Sequence, residues 1–560
     1  MSEKNILPQS LILENRIGIR RGIFIVLLLF LFIFLPWLMG NQELFRQEGV
    51  FAAIAAEYAD GTEFAVNGVS ASAHHQILRD AWPLYPAVVS LFARWFSMET
   101  ALRSVSVVML GILSLLAGIN TAIRSNKRSG LVAALCCFGT LFALDKGING
   151  GPETMAACFL LAAQLLFFHY GSRHADWNSA WIASAIFLSL GFLTIGPVVI
   201  LFFVFPLLFL RRPLSFSGKF RSPGFLAGFI LLLSTVIGWL LPLGLDWRHY
   251  AYSSGVEIVP LADYLCNVLS FPFIFPVRMM PWSLVMWLPF CVALQAISPV
   301  PVFSRYLRTL FFSMLTLVWL LPGASSMLIF FLIGPLAILT GLNYDLGVRR
   351  YGGFLRRVLL AGGMVFPILI LLLLFVVFLP DRYLGIFGNV GKLKFRESIQ
   401  YFYFALSGIG ILTALGVFFC CGRKRFPVWV QILLLSFGIG VISSTVSLPL
   451  RMMENDWRKF GTDVRNALPS DAQRIFKYKI DGMYCGLFYV GVPVYTLEDL
   501  ARLESLEDTV YLVSAAAPVY PDRVWTPLLP AGYKCRGVEV TLWRGERPLD
   551  EESIPENEDE

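Results

Sequence analysis

Repeated long apolar runs are the feature that most constrains the fold of this chain. Segments of about 20 mostly apolar residues, the length that crosses a bilayer, recur between residues 22 and 448. The mean hydropathy is +0.68. Charged residues make up 15% of the chain, against about 25% in soluble proteins. The pattern predicts a polytopic α-helical membrane protein and not a β-barrel, whose strands alternate in short segments.

The apolar runs predict about thirteen transmembrane helices. The first run lacks a small-residue cleavage site after it, so we interpret it as an uncleaved span and not a signal peptide. We interpret residues 83–98 as a surface or re-entrant helix because the run is short and contains Arg94, and residues 309–343 as a helical hairpin. The candidate segments are residues 22–40, 83–98, 101–123, 129–145, 152–170, 179–191, 193–210, 224–243, 281–298, 309–343, 358–379, 399–420 and 427–448.

Basic residues between the runs predict the orientation. With the N-terminus in the cytoplasm, six inner loops are basic, as the positive-inside rule requires. The net charge of +7 then reflects these loops, so we expect no nucleic-acid partner. An odd number of spans places the C-terminal region outside. The loop residues are Arg124, Lys127, Arg128, Arg173, Arg211, Arg212, Lys219, Arg221, Arg305, Arg308, Arg349, Arg350, Arg356, Arg357, Arg423, Lys424 and Arg425.

The organisation predicts three regions. Residues 1–448 form a transmembrane domain with a long outer loop at 41–100, residues 449–545 a small soluble extracytoplasmic α/β domain, and residues 546–560 an acidic, disordered tail. Within the soluble domain we predict strands at 474–479, 483–489, 510–514 and 538–543, and helices at 456–468 and 497–506. The long outer loops place the working surface on the extracytoplasmic face.

The first outer loop contains an acid at the start of an amphipathic helix. Glu48 precedes the apolar positions Val50, Phe51, Ile54 and Tyr58, which recur at helical spacing. An acid at this point stabilises the N-terminus of a helix. It is also a candidate catalytic or metal-binding carboxylate at the membrane surface.

A second group of polar residues lies later in the same loop. His74 and His75 precede Asp80, and this trio is a candidate site for a divalent metal. The alternative is a solvated surface pair, since adjacent side chains rarely face the same way. Cysteines add no metal-type spacing: of nine in the chain, Cys485 and Cys535 lie in the soluble region, where pairing is left open.

A third candidate lies at the start of a span. Pro152 is typical of a first helical turn, and Glu153 beside it favours the helix dipole. A carboxylate at the membrane edge is costly unless it faces water or a cavity. Glu153 therefore also becomes a candidate for a site shared with Glu48 on the outer face.

Other outer residues complete the candidates. Glu257 lies in the loop before the Arg278 to Leu284 helix start and is a further polar candidate. Basic residues are candidate ligands for a lipid phosphate. Those on the outer side are Arg46, Arg79, Arg103, Lys146, Arg248 and Arg278.

Several segments, taken in order, resemble the GT-C glycosyltransferases. The branch is that of the lipid A aminoarabinose transferase and the protein O-mannosyltransferases. Gln47-Glu48 resembles the family's Asp-Glu, with Gln in place of Asp. The segment from Ala81 to Tyr85 resembles Lys-Pro-Pro-Leu-Tyr, without the Lys, and Arg103 resembles a family arginine.

Three later segments extend the resemblance over nearly the whole chain. Pro152-Glu153 resembles the second acid of the family, and Pro281-Trp282 is the most specific match. In the tail, residues 486–494 resemble a strand of the family's soluble domain. The resemblance implies about thirteen transmembrane helices in a GT-C-like fold, followed by a small extracytoplasmic α/β domain.

The resemblance also implies a function. A glycosyltransferase of this kind takes a sugar from a polyprenyl-phosphate donor and passes it to a lipid, glycan or protein acceptor on the outer face of the inner membrane. Glu48, followed by Glu153, is then the candidate general base. Arg103 and Arg278 become candidate phosphate ligands, and Tyr85 part of the substrate site.

Further roles and rival functions follow from the same motifs. Asp80, Glu257 and the histidine pair at 74–75 are candidates for acceptor or metal binding; no cofactor is required, and a divalent metal is left open. The alternatives are a non-catalytic lipid transporter or scaffold-like relative, which the changes at Gln47 and Ala81 favour, and an oligosaccharide ligase or polymerase.

Overall fold

The computed structural model describes a predominantly helical chain. It describes residues 19–38, 43–45, 47–59, 82–173, 175–211, 219–241, 260–298, 300–321, 326–377, 400–442, 457–470, 472, 475–480, 483–492, 494–497, 509–520, 522–530, 534–535 and 538–547.

The helices follow the apolar runs of the sequence. In chain order they are α1 (Ile19–Leu38), α2 (Glu48–Ala59), α3 (Leu84–Ala93), α4 (Met98–Arg124), α5 (Lys127–Phe138), α6 (Leu141–Lys146), α7 (Glu153–Phe168), α8 (Trp177–Ile195), α9 (Val198–Leu207), α10 (Pro223–Leu240), α11 (Leu261–Arg278), α12 (Ser283–Met286), α13 (Val292–Gln295), α14 (Pro301–Leu320), α15 (Phe330–Val377), α16 (Gln400–Cys420), α17 (Val428–Ile442), α18 (Trp457–Ala467) and α19 (Tyr484–Phe488). A π-helical turn spans His169–Arg173, and 3₁₀ turns span Lys219–Arg221, Leu288–Phe290 and Ser326–Ile329.

Several helices are apolar enough to cross a bilayer. Within the described residues, five meet the length and composition required, and a sixth candidate is the pair Leu261–Arg278 and Ser283–Phe290, bent by 106°. These helices fit the membrane protein expected from the sequence, while the number thirteen stays a prediction. The five are Met98–Arg124, Glu153–Ser172, Trp177–Ile195, Pro223–Leu240 and Met327–Leu369.

Some predicted spans are broken. Residues 129–145 form two helices, α5 and α6, because Gly139 ends the first and Thr140 caps the second, its hydroxyl accepting the Ala143 N–H at 3.2 Å. Residues 281–298 form short turns of helix instead of one span. The structure therefore kinks the chain beside the predicted outer face.

One predicted inner loop is absent and replaced by helix. We expected a loop containing Arg349, Arg350, Arg356 and Arg357 between two spans, but α15 runs through it for 48 residues. Three of these arginines are exposed and Arg356 is half-buried. Charged side chains that reach solvent do not interrupt a helix, so the basic cluster was an incorrect boundary signal.

The C-terminal residues form a mixed sheet. Its strands are β1 (Ile475–Tyr478), β2 (Val494–Leu497), β3 (Thr509–Ser514), β4 (Val524–Pro527) and β7 (Thr541–Glu546), in the order β2-β1-β3-β7-β4. Strand β1 is parallel to β2 and β3, while β7 is antiparallel to β3 and β4. Strands β5 (Lys534–Cys535) and β6 (Val538–Glu539) pair separately.

The core of this sheet is apolar, and one predicted strand is wrong. Phe476, Leu497, Val510 and Leu512 form a buried cluster. Residues 483–489 form the helix α19, although their aromatic pattern indicated a strand. The helix is set by close packing. A Cβ on Gly486 would lie 2.7 Å from Phe460 Cδ1, which shows how closely α19 packs on α18.

The chain divides into two compact units. The first contains the described residues within 1–41 and 80–451, and the second those within 42–79 and 452–560. Helix α2, which begins with Glu48, therefore belongs to the same unit as the C-terminal sheet. The first outer loop and the C-terminal region were separate regions in the sequence-based prediction, which assigned the loop to the transmembrane domain.

Candidate functional site

A buried hydrogen-bond network joins three motifs of the first unit. The hydroxyl of Tyr85, at the start of α3, donates to the Leu102 carbonyl at 2.9 Å and lies 3.1 Å from Ser106 Oγ. Ser106 Oγ donates to the Gly151 carbonyl at 3.0 Å and accepts the Gly151 N–H at 3.1 Å. Tyr85 and Ser106 are fully buried. Helix α4 is therefore bonded both to the start of α3, through Tyr85, and to the segment before α7, through Gly151.

This network positions Glu153. Helix α7 begins at Glu153, after Pro152, and its half-buried side chain turns back over Gly151. A Cβ on Gly151 would meet the Glu153 carboxylate. The absence of a side chain at Gly151 thus leaves the space that the acid occupies. Glu153 is held two residues from the backbone atoms that Ser106 binds.

Arg103 lies on the same helix as Ser106. Its side chain is 5% exposed, and at three residues' spacing the two share one helix face. Ser106 was missed in the sequence analysis. Its position three residues after Arg103, on the same helix face, is the signal that would have found it.

Trp82 completes the local packing before α3. Its ring is 4% exposed and packs edge-on against Phe192 at 4.9 Å between centroids. Gly196, with φ +86°, lies against the same ring, where a Cβ would be 2.2 Å from Trp82 Cζ2. The aromatic residue that precedes Tyr85 therefore anchors the motif to α8.

A charged group lies at the end of α6. Lys146 and Asp145 form an ion pair at 3.1 Å, and Asp145 also interacts electrostatically with Arg278. The Arg278 guanidinium lies 5.9 Å from the centre of the Phe142 ring. Arg278 and Lys146, two candidate phosphate ligands, thus both lie under the influence of Asp145, a carboxylate that the sequence analysis missed.

The Pro-Trp segment fixes α6 to the rest of the unit. The Met280–Pro281 peptide bond is cis, and the Met280 carbonyl accepts the Leu141 N–H at 2.6 Å. Trp282 is fully buried and its Nε1–H donates to Ser436 Oγ at 3.1 Å. The most specific sequence motif is therefore a packing element that brings Arg278 towards α6.

Glu48 lies in the second unit. Its side chain is 3% exposed, and its Oε2 accepts the Phe45 N–H at 2.9 Å. An acid that bonds to the backbone N–H three residues before it closes the N-terminal turn of a helix. The neighbouring Gln47 is exposed. Glu48 thus stabilises the start of α2, which is the structural role that the sequence analysis gave as one alternative. Its catalytic role stays a prediction.

Glu43 is a second buried acid of this unit that the sequence analysis did not consider. It is 8% exposed, and its Oε2 accepts the Trp457 N–H at 2.8 Å. The Leu44 N–H donates to the Tyr489 hydroxyl at 2.9 Å. The segment before α2 is therefore bonded to the C-terminal part of the unit. The position of Glu43 in the same loop as Glu48 is the sequence signal that would have identified it.

Helices α2 and α19 are also in close contact. A Cβ on Gly49 would lie 2.4 Å from the Cys485 backbone nitrogen. Cys485 is a buried free thiol, so it does not pair with Cys535 in this structure. The glycine after Glu48 is thus required by the packing of the two helices.

The four candidates for metal or acceptor binding, His74, His75, Asp80 and Glu257, lie outside the described residues. The candidate phosphate ligands at 46, 79 and 248 also lie outside them. Among the residues that are described, no group of three or more histidine, cysteine or acidic side chains is arranged to bind a metal. The metal and acceptor roles of these four residues stay predictions.

Comparison with known proteins rests on the fold. No protein-family model matches the sequence, and no curated protein matches it either. The structure of ArnT from Cupriavidus metallidurans bound to undecaprenyl phosphate is similar, with a TM-score of 0.63 and 13% identity over 96% of this chain and 98% of that one.

Two further structures are similar to lesser degrees. The apo state of the same ArnT has a TM-score of 0.62 and 12% identity, over 93% of this chain and 97% of that one. The apo oligosaccharyltransferase of Archaeoglobus fulgidus has a TM-score of 0.45 and 12% identity, over 90% of this chain and 70% of that one. The ArnT match extends over both chains almost from end to end, so this chain has the fold of that ArnT, as the order of its sequence motifs predicted.

Proposed function

We propose that the protein is an integral-membrane glycosyltransferase that takes a sugar from a polyprenyl-phosphate donor. The observation that supports this most is the end-to-end likeness to ArnT, which was solved with undecaprenyl phosphate bound. The acceptor is a hydroxyl of a lipid, glycan or protein. The sugar and the acceptor belong to the proposal and not to the likeness in fold.

The proposed reaction is a single displacement. A carboxylate takes the proton of the acceptor hydroxyl as general base, and the oxygen attacks the anomeric carbon. The bond between that carbon and the phosphate oxygen breaks. Polyprenyl phosphate leaves as an anion, stabilised by cationic side chains near it.

Glu153 is the acid whose surroundings best suit this role. It begins α7 beside a glycine, and the Tyr85–Ser106–Gly151 network fixes its backbone. Glu153 is half-buried as a residue, and its carboxylate lies over Gly151. Glu48 is the second candidate base, and its 3% exposure makes it the less accessible.

Cationic groups for the leaving phosphate are proposed on the same unit as Glu153. Arg103 is buried on α4, and Arg278 lies beside Asp145 and Phe142. Tyr85 supports the site through Ser106. Asp80, Glu257 and the histidine pair at 74–75 are retained as proposed acceptor or metal ligands.

The proposed location is the cytoplasmic membrane, with about thirteen spans and a cytoplasmic N-terminus. The basic inner loops of the sequence support this orientation. It places the C-terminal unit and the reaction on the extracytoplasmic side. Cys266 is exposed and lies between the predicted spans 224–243 and 281–298. Labelling it with a membrane-impermeant reagent from the extracytoplasmic side tests the orientation, and absence of labelling would contradict it.

A sugar-transfer assay tests the chemistry. Purified protein is given a labelled polyprenyl-phosphate sugar and a mixed acceptor fraction, and Glu153→Gln is compared with Glu99→Gln, a first-turn acid of α4. A general base typically contributes 10²- to 10⁴-fold, so we expect Glu153→Gln to slow transfer by about that factor. Glu99→Gln retains activity. Equal rates in the two variants would remove Glu153 from the mechanism.

One observation favours the rival function. Gln47 replaces the family's acid and is exposed, while Glu48 is buried and its carboxylate accepts the Phe45 N–H. A non-catalytic relative would bind or move a polyprenyl lipid without breaking its phosphate bond. Release of free polyprenyl phosphate by the wild type would indicate the transferase and not the non-catalytic relative. A preference for a pyrophosphate-linked donor would instead indicate an oligosaccharide ligase or polymerase.

A further inference from the structure

A cavity of about 750 Å³ lies in the first unit, away from the network around Glu153. It is lined by residues of the segment from Phe205 to Arg211, at the end of α9, and of the segment from Val302 to Thr316 in α14. This volume falls within the range of about 300–1,000 Å³ that is typical of small-molecule sites. The cavity is therefore large enough for a lipid headgroup together with the start of its chains.

Positive charge dominates the lining. Arg211, Arg305 and Arg308 all line the cavity, and among the residues that the structure describes no carboxylate does. Arg305 and Arg308 are three residues apart on one helix, where like charges repel. Within the described part of the chain, none of the three guanidinium groups forms an ion pair with a carboxylate. An anionic ligand would relieve this repulsion.

The remaining lining is partly apolar and opens to the surface. Phe209 is 54% exposed and Phe312 is 51% exposed, and both line the cavity beside the arginines. Aromatic side chains exposed on apolar helices face the acyl region of a bilayer. The mixture of guanidinium groups and aromatic rings matches an amphiphile with an anionic head.

The position of the cavity indicates which amphiphile. Arg211 follows the end of α9, and Arg305 and Arg308 lie near the start of α14. The sequence predicts that both of these places are on the cytoplasmic side. The inner leaflet offers phosphate headgroups of anionic phospholipids at that level. Guanidinium groups bind phosphate with two parallel hydrogen bonds.

We propose that this cavity binds an anionic phospholipid of the inner leaflet, with Arg211, Arg305 and Arg308 on its phosphate and Phe209 and Phe312 against its chains. The site is separate from the proposed sugar-transfer site and does not depend on that activity. Gln295, which also lines the cavity, is held by its Nε2–H on the Phe290 carbonyl at 3.0 Å. Its oxygen adds a neutral acceptor for a headgroup hydroxyl.

Lipid retention by the full-length protein tests the proposal. Delipidated protein in neutral detergent is titrated with phosphatidylglycerol or phosphatidylcholine, and bound lipid is counted by native mass spectrometry. The test variant is Arg305→Gln with Arg308→Gln. The control is Arg349→Gln with Arg350→Gln, two exposed arginines of α15 that do not line the cavity.

We expect the test variant to bind phosphatidylglycerol about tenfold more weakly, since two charge-assisted contacts are lost, and the control to match the wild type. Equal binding in the test variant and the wild type would overturn the proposal. So would equal binding of phosphatidylcholine, or displacement of the lipid by millimolar inorganic phosphate, which would indicate a site for a soluble anion.

Two further variants keep the test decisive if the double variant fails to fold. Arg308→Gln alone removes the half-buried guanidinium, and we expect most of the loss. Arg305→Lys with Arg308→Lys keeps the charge but loses the paired hydrogen bonds, so we expect it to bind more weakly than the wild type and more tightly than Arg305→Gln with Arg308→Gln. Unchanged binding in the first of these variants, or complete loss in the second, would contradict the proposed contacts.

Discussion

Replacing Ser106 by alanine is the perturbation that most directly probes the network beside Glu153. Ser106 Oγ contacts three groups: the Gly151 carbonyl at 3.0 Å, the Gly151 N–H at 3.1 Å and the Tyr85 hydroxyl at 3.1 Å. The side chain is fully buried, so water does not replace the hydroxyl. Tyr85 keeps its bond to Leu102, whereas Gly151 loses both.

The magnitude follows from those losses. A buried backbone N–H without a partner costs about 1–3 kcal/mol. A hydrogen bond between helices in a membrane contributes about 0.6 kcal/mol on average. The N–H of Gly151 is thus the larger cost, and we expect Ser106→Ala to lower the free energy of unfolding by about 2 kcal/mol. Because Gly151 leads into Glu153, transfer activity should fall as well.

Reversible unfolding in mixed micelles measures the loss, and Ser114→Ala is the matched control. Ser114 is equally buried on the same helix, but its hydroxyl donates to Leu110 within that helix at 2.8 Å. Its remaining partner is the thiol of Cys137, whose S–H is a weak donor. We expect the control to lose less than about 0.5 kcal/mol. Equal losses in the two variants would refute the bridging role of Ser106.

Two other substitutions test the packing of the second unit. Gly49→Ala places a Cβ 2.4 Å from the Cys485 backbone nitrogen. We therefore expect it to lower the free energy of unfolding by about 1–3 kcal/mol and to speed proteolysis of the C-terminal residues. The control is Gly238→Ala, whose Cβ has nothing within 4 Å and which should not lower the thermal midpoint. Tyr489→Phe leaves the buried Leu44 N–H without its 2.9 Å partner. We expect it to lower the free energy of unfolding by about 1–3 kcal/mol and to speed proteolysis of the C-terminal residues. Wild-type protease resistance in both variants would contradict the contact of α2 with α19.

Much of the first unit was predictable because bilayer crossing requires long apolar helices. Helices α4, α8 and α10 lie close to the predicted spans, since a span is a local property of about 20 residues. The continuous helix α15 was not predictable. Its arginines at 349 and 350 are exposed on the helix surface, and charge alone does not distinguish an exposed helical face from a loop.

The site was predictable in part. Tyr85, Arg103 and Glu153 were named from the sequence, and the structure brings the first and the last of these together through Ser106 and Gly151. The bridge joins residues 45 positions apart, so no local pattern reveals it. Helix α19 was mistaken for a strand because its packing on α18 overrides local preference.

The most direct test of the central claim is product analysis with the purified wild-type protein. The protein is given a polyprenyl-phosphate sugar that is labelled in both the sugar and the lipid, together with candidate acceptors. The account predicts labelled acceptor and free polyprenyl phosphate in equal amounts. Movement of intact donor across a bilayer, with no free polyprenyl phosphate, would contradict it.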